Sequence, residues 1–211
     1  MATIDLNSGS QSEHIAHAAT ALKDGYVIVV PLENSYALVA DAFFHDAVRS
    51  LHVLRGDALG VAAQVLISSP AAIDGIVREV SDVARALMTN FWPGLLSLNL
   101  KPQRGLNWDL GDGQQLDLIS VRVPAAEFIL ELTKVHGPIA IASAALVGKP
   151  AISDPADLNF SEVEVAAIYS AGPLEQGPAS TVVACDGDVP RIVRIGAISA
   201  EQITAIAPDI S

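Results

Sequence analysis

Apolar residues fall along this chain in short blocks that switch between two periods. Residues 26–30, YVIVV, form a continuous apolar run of mostly β-branched or aromatic side chains. That pattern predicts a strand buried on both faces. Pro31 cannot donate to a sheet ladder, so regular pairing should weaken there. Glu33, Asn34 and Ser35 follow, and the pattern turns apolar again over residues 36–40. A polar loop at the end of a rigid strand is a frequent seat of ligand chemistry. The same spacing also suits an ordinary turn between two strands.

The remaining blocks alternate in the same way. Ser10 and Glu13 have capping-box spacing, Ile15, Ala18, Ala19 and Leu22 follow at helical period, and Gly25 fits the stop. Residues 45–54 predict a second helix that ends at the turn signal Arg55-Gly56-Asp57. Residues 64–67 read as a strand, and Ser69-Pro70 as an N-cap with proline at the first helical position. A helix over 80–89 leads to a strand over 95–100, whose alternation implies one wetter face. Residues 101–117 are a polar loop; its Asp109 and Asp112 lack the spacing of a calcium loop. Strands are expected over 118–123, 139–142, 165–169, 181–184 and 192–195, with helices over 125–135 and after the Ser199/Gln202 capping box. Some connections are too short for crossovers. The expected fold is therefore α/β: one domain over residues 1–211, with helices packed on a twisted sheet of mixed parallel and antiparallel strands.

Composition narrows the function classes. Hydrophobic residues make up 51% and the mean hydropathy is +0.41, which is a well-filled core. No apolar run approaches the roughly 18 residues of a membrane span. The first residues have neither a basic nor an apolar stretch, so no signal peptide is expected. The single Cys185 excludes an intrachain disulfide and fits the cytoplasm. His14 and His17 share a helix face but lack a third ligand, so no metal centre is expected. With 12 basic residues against 24 acidic ones the net charge is −12, which disfavours nucleic acid as a partner. A small molecule, nucleotide or amino acid, is the expected ligand.

Six short motifs stand in a fixed order: Pro31 to Leu38, Arg55-Gly56-Asp57, Trp92 to Leu98, Arg122-Val123-Pro124, Ala142 to Gly148, and Ala179 to Val183 with Arg194-Ile195-Gly196. In sequence and spacing they resemble the YrdC-like family, which includes the threonylcarbamoyl-AMP synthases. The resemblance implies that L-threonine and bicarbonate form a carbamate, which attacks the α-phosphate of ATP. Pyrophosphate leaves, and the group later reaches an adenosine of tRNA. It implies ATP as a substrate, with Mg²⁺ alongside, and an association with double-stranded RNA that the charge weighs against. Position by position, Asn34 and Ser143 would hold the amino acid. Arg55, Ser143, Ser180 and Arg194 would surround the nucleotide, and Tyr36 and Arg122 would shape the cleft. Simpler uses exist for some of these residues. Arg122 suits a structural ion pair, Trp92-Pro93-Gly94 a packing corner, and Arg191 and Arg194 the decoration of a strand.

The departures from the family pattern matter equally. Leu32, Asn34, Ala142 and Ala145 replace Thr, Thr, Thr and Asn, and Asp57 stands where the family has a second cation. A unit charge about 4 Å from a phosphate is worth about 4 kcal/mol at an effective dielectric near 20. A carboxylate facing the phosphates would therefore oppose nucleotide binding and leave turnover weak or absent. The alternative is a non-catalytic member that binds a nucleotide or metabolite and acts through a partner.

Overall fold

The computed structural model describes residues 2–115, 117–187 and 189–211. Its scaffold is one ten-stranded sheet, ordered β1-β8-β2-β3-β7-β4-β6-β5-β9-β10. In chain order the strands are β1 (Ala2–Asp5), β2 (Ile28–Pro31), β3 (Tyr36–Asp41), β4 (Gln64–Leu66), β5 (Leu96–Leu100), β6 (Ile119–Arg122), β7 (Ile139–Ser143), β8 (Ala167–Ser170), β9 (Thr181–Ala184) and β10 (Arg191–Arg194). The helices are α1 (Gln11–Lys23), α2 (His45–Arg55), α3 (Asp82–Phe91), α4 (Glu127–His136) and α5 (Ala200–Ile206). Four neighbouring pairs are parallel and five antiparallel, which is the mixed sheet that the short connections predict.

Three helix layers cover the sheet unevenly. Ile15, Ala18 and Leu22 of α1 pack with Phe128, Ile129 and Leu132 of α4 on Ile28, Val30, Val39 and Ile139. Leu87 and Met88 of α3 and Ile203 of α5 cover Val65, Leu98, Val121 and Val183. Ala47 and Leu51 of α2 lie on Val29, Leu38 and Ala40. Side chains alternate along a strand. The neighbours of Val65, Leu98, Val121 and Val183 therefore point to the other face. Those neighbours are Gln64, Ser97, Ser120, Arg122 and Val182, aligned in register across β4, β6, β5 and β9. All but Ser97 line a cleft on that face. The side expected to be wetter for residues 95–100 faces that way, but Ser97 is fully buried and only Leu95 of this stretch lines the cleft.

Several local expectations shift. The strand β2 ends at Pro31, as expected where proline removes a donor, although Pro31 itself still pairs with Tyr36. The Ser10 hydroxyl lies 2.8 Å from that of Ser12, so α1 starts without a side-chain cap. Ser69 does not open an α-helix either; residues 70–75 form a 3₁₀ turn without a side-chain cap. The third helix begins later than its apolar pattern suggests, because the Ser81 Oγ accepts from the Ala84 N–H at 3.2 Å and fixes the start at Asp82. The Ser199/Gln202 capping box of α5 forms as expected. The strand β1 carries no periodic signal of its own; its parallel pairing with β8 supplies what the sequence lacks.

Candidate functional site

A cleft of about 370 Å³ opens where the ends of β2, β3 and β7 meet the bare face of β4, β6, β5 and β9. Asn34, Tyr36, Arg55, Arg122, Ser143, Ser180 and Arg194 all line it. The loop after β2, the end of α2, the end of β7 and the edge of β9 and β10 thus converge on one concavity. Its charged lining is three arginines, Glu33 and the titratable His52.

Each side chain is held by local chemistry. The Asn34 Nδ2 donates to the Pro178 carbonyl at 2.8 Å and ties the loop after β2 to the segment before β9. Gly177 sits under it: a Cβ there would lie 2.8 Å from the Asn34 nitrogen. The fully buried Tyr36 donates its hydroxyl to Gly172 O at 2.7 Å and accepts from Ala171 N–H at 3.1 Å. Both functions of that hydroxyl are satisfied inside the protein, so Tyr36 contributes wall and not chemistry. The Ser143 Oγ accepts from the Ala145 N–H at 3.2 Å, which shapes the turn after β7. Arg194 donates through Nη2 to the Ser180 carbonyl at 2.8 Å and to its hydroxyl at 3.2 Å.

Arg122 is both a structural ion pair and a cleft residue. Its Nη1 donates to Glu33 Oε1 at 2.8 Å with only 3% of its side chain exposed. The same Glu33 oxygen accepts from the Ala125 N–H at 2.8 Å. Burial raises the Glu33 carboxyl, but the Arg122 charge and these hydrogen bonds outweigh it and hold its pKa below the ordinary 4.5. In sequence Glu33 is only a polar loop residue; its tie to Arg122 spans 89 positions and has no local signal. Arg122 Nε and Arg55 Nε are buried without a hydrogen-bond partner among the described residues. Among the described residues two guanidinium donors beside the cleft therefore lack an acceptor.

Asp57 does not face the cleft, contrary to the sequence expectation. Gly56 ends α2 in a left-handed conformation at φ +75°, and the Asp57 N–H returns to His52 O at 3.0 Å. The carboxylate then meets His52 Nδ1 at 2.7 Å and Arg55 Nη1 at 3.3 Å, with its side chain 4% exposed. His52 in turn donates through Nε2 to Leu110 O at 2.7 Å, against Gly111, where any Cβ would fall 2.3 Å from that nitrogen. Of the replaced positions, Leu32 and Ala142 line the cleft, while Ala145 is buried behind it. His17 Nδ1 pairs with the Tyr169 hydroxyl at 2.6 Å. Among the described residues no group of three His, Cys, Asp or Glu side chains could hold a metal ion.

Known proteins share this architecture. The model of the Sua5/YciO/YrdC family, described as "Telomere recombination", matches residues 20–196. A Mycobacterium tuberculosis protein with the provisional name threonylcarbamoyl-AMP synthase is 36% identical over 197 residues, which is 93% of this chain and 90% of that protein. The Bacillus subtilis threonylcarbamoyl-AMP synthase is 33% identical over 196 residues, covering 91% of this chain and 56% of its own length. The crystal structure of Pyrococcus abyssi Sua5 complexed with L-threonine superposes with a TM-score of 0.87 at 26% identity, over 100% of this chain and 62% of that one. With its family model matched over residues 20–196 and its fold shared, this chain belongs to the Sua5/YciO/YrdC family.

Proposed function

We propose that this protein is an L-threonylcarbamoyladenylate synthase. The observation that carries the proposal is the charge of the cleft. Three arginines line it; Arg122 is paired with Glu33 and Arg55 with Asp57, which leaves Arg194 without a carboxylate partner among the described residues and the cleft net cationic. This occurs in a chain of net charge −12. A cationic cleft in an acidic protein is built for a small polyanion, because distant negative surface is screened beyond about 10 Å while contact charges are not.

In this proposal Asn34 and Ser143 hold the amino acid, as small polar groups in the loop after β2 and at the end of β7. Arg55, Ser180 and Arg194 face the triphosphate. A carbamate oxygen attacks the α-phosphorus, the bond to the bridging oxygen breaks, and pyrophosphate leaves with its charge beside the guanidinium groups. Fixed cations placed where charge develops lower the barrier without reorganising. Small-residue substitution at Ala142 removes one polar contact but widens the space beside Ser143. Among the described residues the cleft offers no free carboxylate pair for Mg²⁺, since Glu33 is committed to Arg122 and Ala125. A Mg²⁺ ion accompanying the nucleotide would be held by phosphates and water. Transfer of the product to tRNA belongs to the same proposal and to partners outside this chain.

The second reading, a non-catalytic nucleotide or metabolite binder, draws on one observation. Asn34 and Arg194 already donate to protein carbonyls, Pro178 and Ser180. Pyrophosphate release with ATP, L-threonine and bicarbonate separates the two, alongside calorimetric ATP affinity. Release that requires all three substrates is expected. Tight ATP binding without release would favour the second reading, and absence of both would sink each.

A further inference from the structure

A chain of hydrogen bonds runs beneath the cleft floor. Arg194 Nη2 donates to Ser180 Oγ at 3.2 Å, and the fully buried Ser97 donates to the same oxygen at 2.9 Å. Gln64 Nε2 then donates to Ser97 Oγ at 2.7 Å and to Ser120 Oγ at 3.1 Å. Both amide hydrogens of Gln64 are thereby engaged. Its carbonyl oxygen Oε1 has no partner among the described residues and is not sealed from solvent, and Gln64 lines the cleft. Four residues across three strands therefore hold one bare acceptor toward the ligand space.

The place of that acceptor is informative. Gln64 pairs in register with Ile141, two residues before Ser143, while its serine network reaches Ser180 and Arg194 on the opposite wall. It stands between the side proposed for the amino acid and the side proposed for the nucleotide. An amide oxygen cannot donate, so it repels a phosphate oxygen and welcomes an N–H. Given the synthase activity proposed above, one reacting group at that junction has such a hydrogen: the amino nitrogen of the amino acid.

The geometry points to Gln64 as a substrate-binding residue that selects and orients the amino nitrogen, through a hydrogen bond accepted by Oε1. The reaction at that nitrogen balances with the bond in place. The amine nitrogen bonds to the carbon of bicarbonate, one N–H proton and one hydroxide leave as water, and an N-carboxylate remains. The product nitrogen keeps one hydrogen, so the same acceptor serves amine and carbamate. Holding that hydrogen turns the carboxylate oxygens away from Gln64 and toward the cationic wall.

The test is calorimetry on the full chain with L-threonine and ATP titrated separately, and with 3-hydroxybutyrate as an amine-free analogue. Gln64→Met removes the acceptor at similar length. It should weaken L-threonine about ten-fold, roughly 1.4 kcal/mol, while ATP and 3-hydroxybutyrate change less than about two-fold. Gln64→Glu keeps an acceptor and adds charge. It should hold L-threonine within about two-fold and weaken ATP by about five-fold or more, as a new anion beside phosphates requires. Parallel loss of both ligands in Gln64→Met, with no recovery of L-threonine in Gln64→Glu, would reduce Gln64 to a support for Ser180 and overturn the proposal. So would unchanged L-threonine affinity in Gln64→Met. If the unmodified chain binds neither ligand, the synthase function itself fails, which is a different result.

Discussion

The Asp57 carboxylate has two cationic or hydrogen-donating neighbours, His52 and Arg55, and almost no water. The sequence places an acid where the family has a cation and suggests repulsion of phosphate. The structure makes it the anchor of Arg55. Removing one partner of a buried charge cluster typically costs about 3–5 kcal/mol; with Arg55 partly exposed, about 3 kcal/mol is expected for Asp57→Arg, read as a lower denaturant midpoint, with no gain in ATP affinity. A gain would return Asp57 to the phosphates. Glu33 gives a pH signature. Its folded pKa lies below 4.5, so its stabilisation is present above that value and is lost as pH falls through the folded value. The melting-temperature gap between the protein and Glu33→Gln should therefore shrink from about pH 6 to about pH 3. A constant gap would mean that Glu33 acts by shape alone. Asn34, Ser143, Ser180 and Arg194 were legible as candidates because short motifs carry them. Glu33, His52 and Gln64 were not, because their partners lie 89, 58 and 33 positions away.

At the scale of elements, alternation revealed which residues share a face but not which face a helix would cover. Ser97 and Asn99 announce a wetter side of β5. The docking of α3 and α5 on the opposite side turns them toward the cleft, yet Ser97 is fully buried and neither residue lines it. Tertiary pairing also moved ends: the strand expected at 165–169 runs from Ala167 to Ser170, where β1 and β2 meet it. The turn after β10 shows how closely elements approach the site. A Cβ on Gly196 would fall 2.1 Å from Ala179 O and 2.7 Å from the Ser180 carbonyl. Those are backbone atoms, so nothing flexible can yield. Gly196→Ala should cost about 2 kcal/mol of stability and displace Ser180 and Arg194 together, lowering ATP affinity. Thermal melts and calorimetry read the two effects, and an unchanged affinity would separate this turn from the ligand.

For the whole molecule, charge decides among the partners that the family suggests. Non-specific binding to duplex RNA needs several cations along a phosphate backbone. Here the net charge is −12, and three of the 12 basic residues are drawn into one concave cleft. Fluorescence anisotropy at about 150 mM salt should find only weak duplex binding, and a submicromolar, steeply salt-dependent curve would refute this. Among the described residues no helix is long and apolar enough to cross a membrane. Arg194 lies on β10, the last strand of the sheet, which has a neighbour on one side only. That strand is laced to the chain's end, since Ile192 N–H donates to Ser211 O at 2.9 Å and Ser211 N–H to Pro190 O at 3.1 Å. The wall that carries Arg194 is thus one edge of the sheet, where local opening costs less than at its centre. An occupied cleft fastens that margin, so amide hydrogens at residues 192 and 211 should exchange with solvent more slowly when ATP is present, although neither residue touches it.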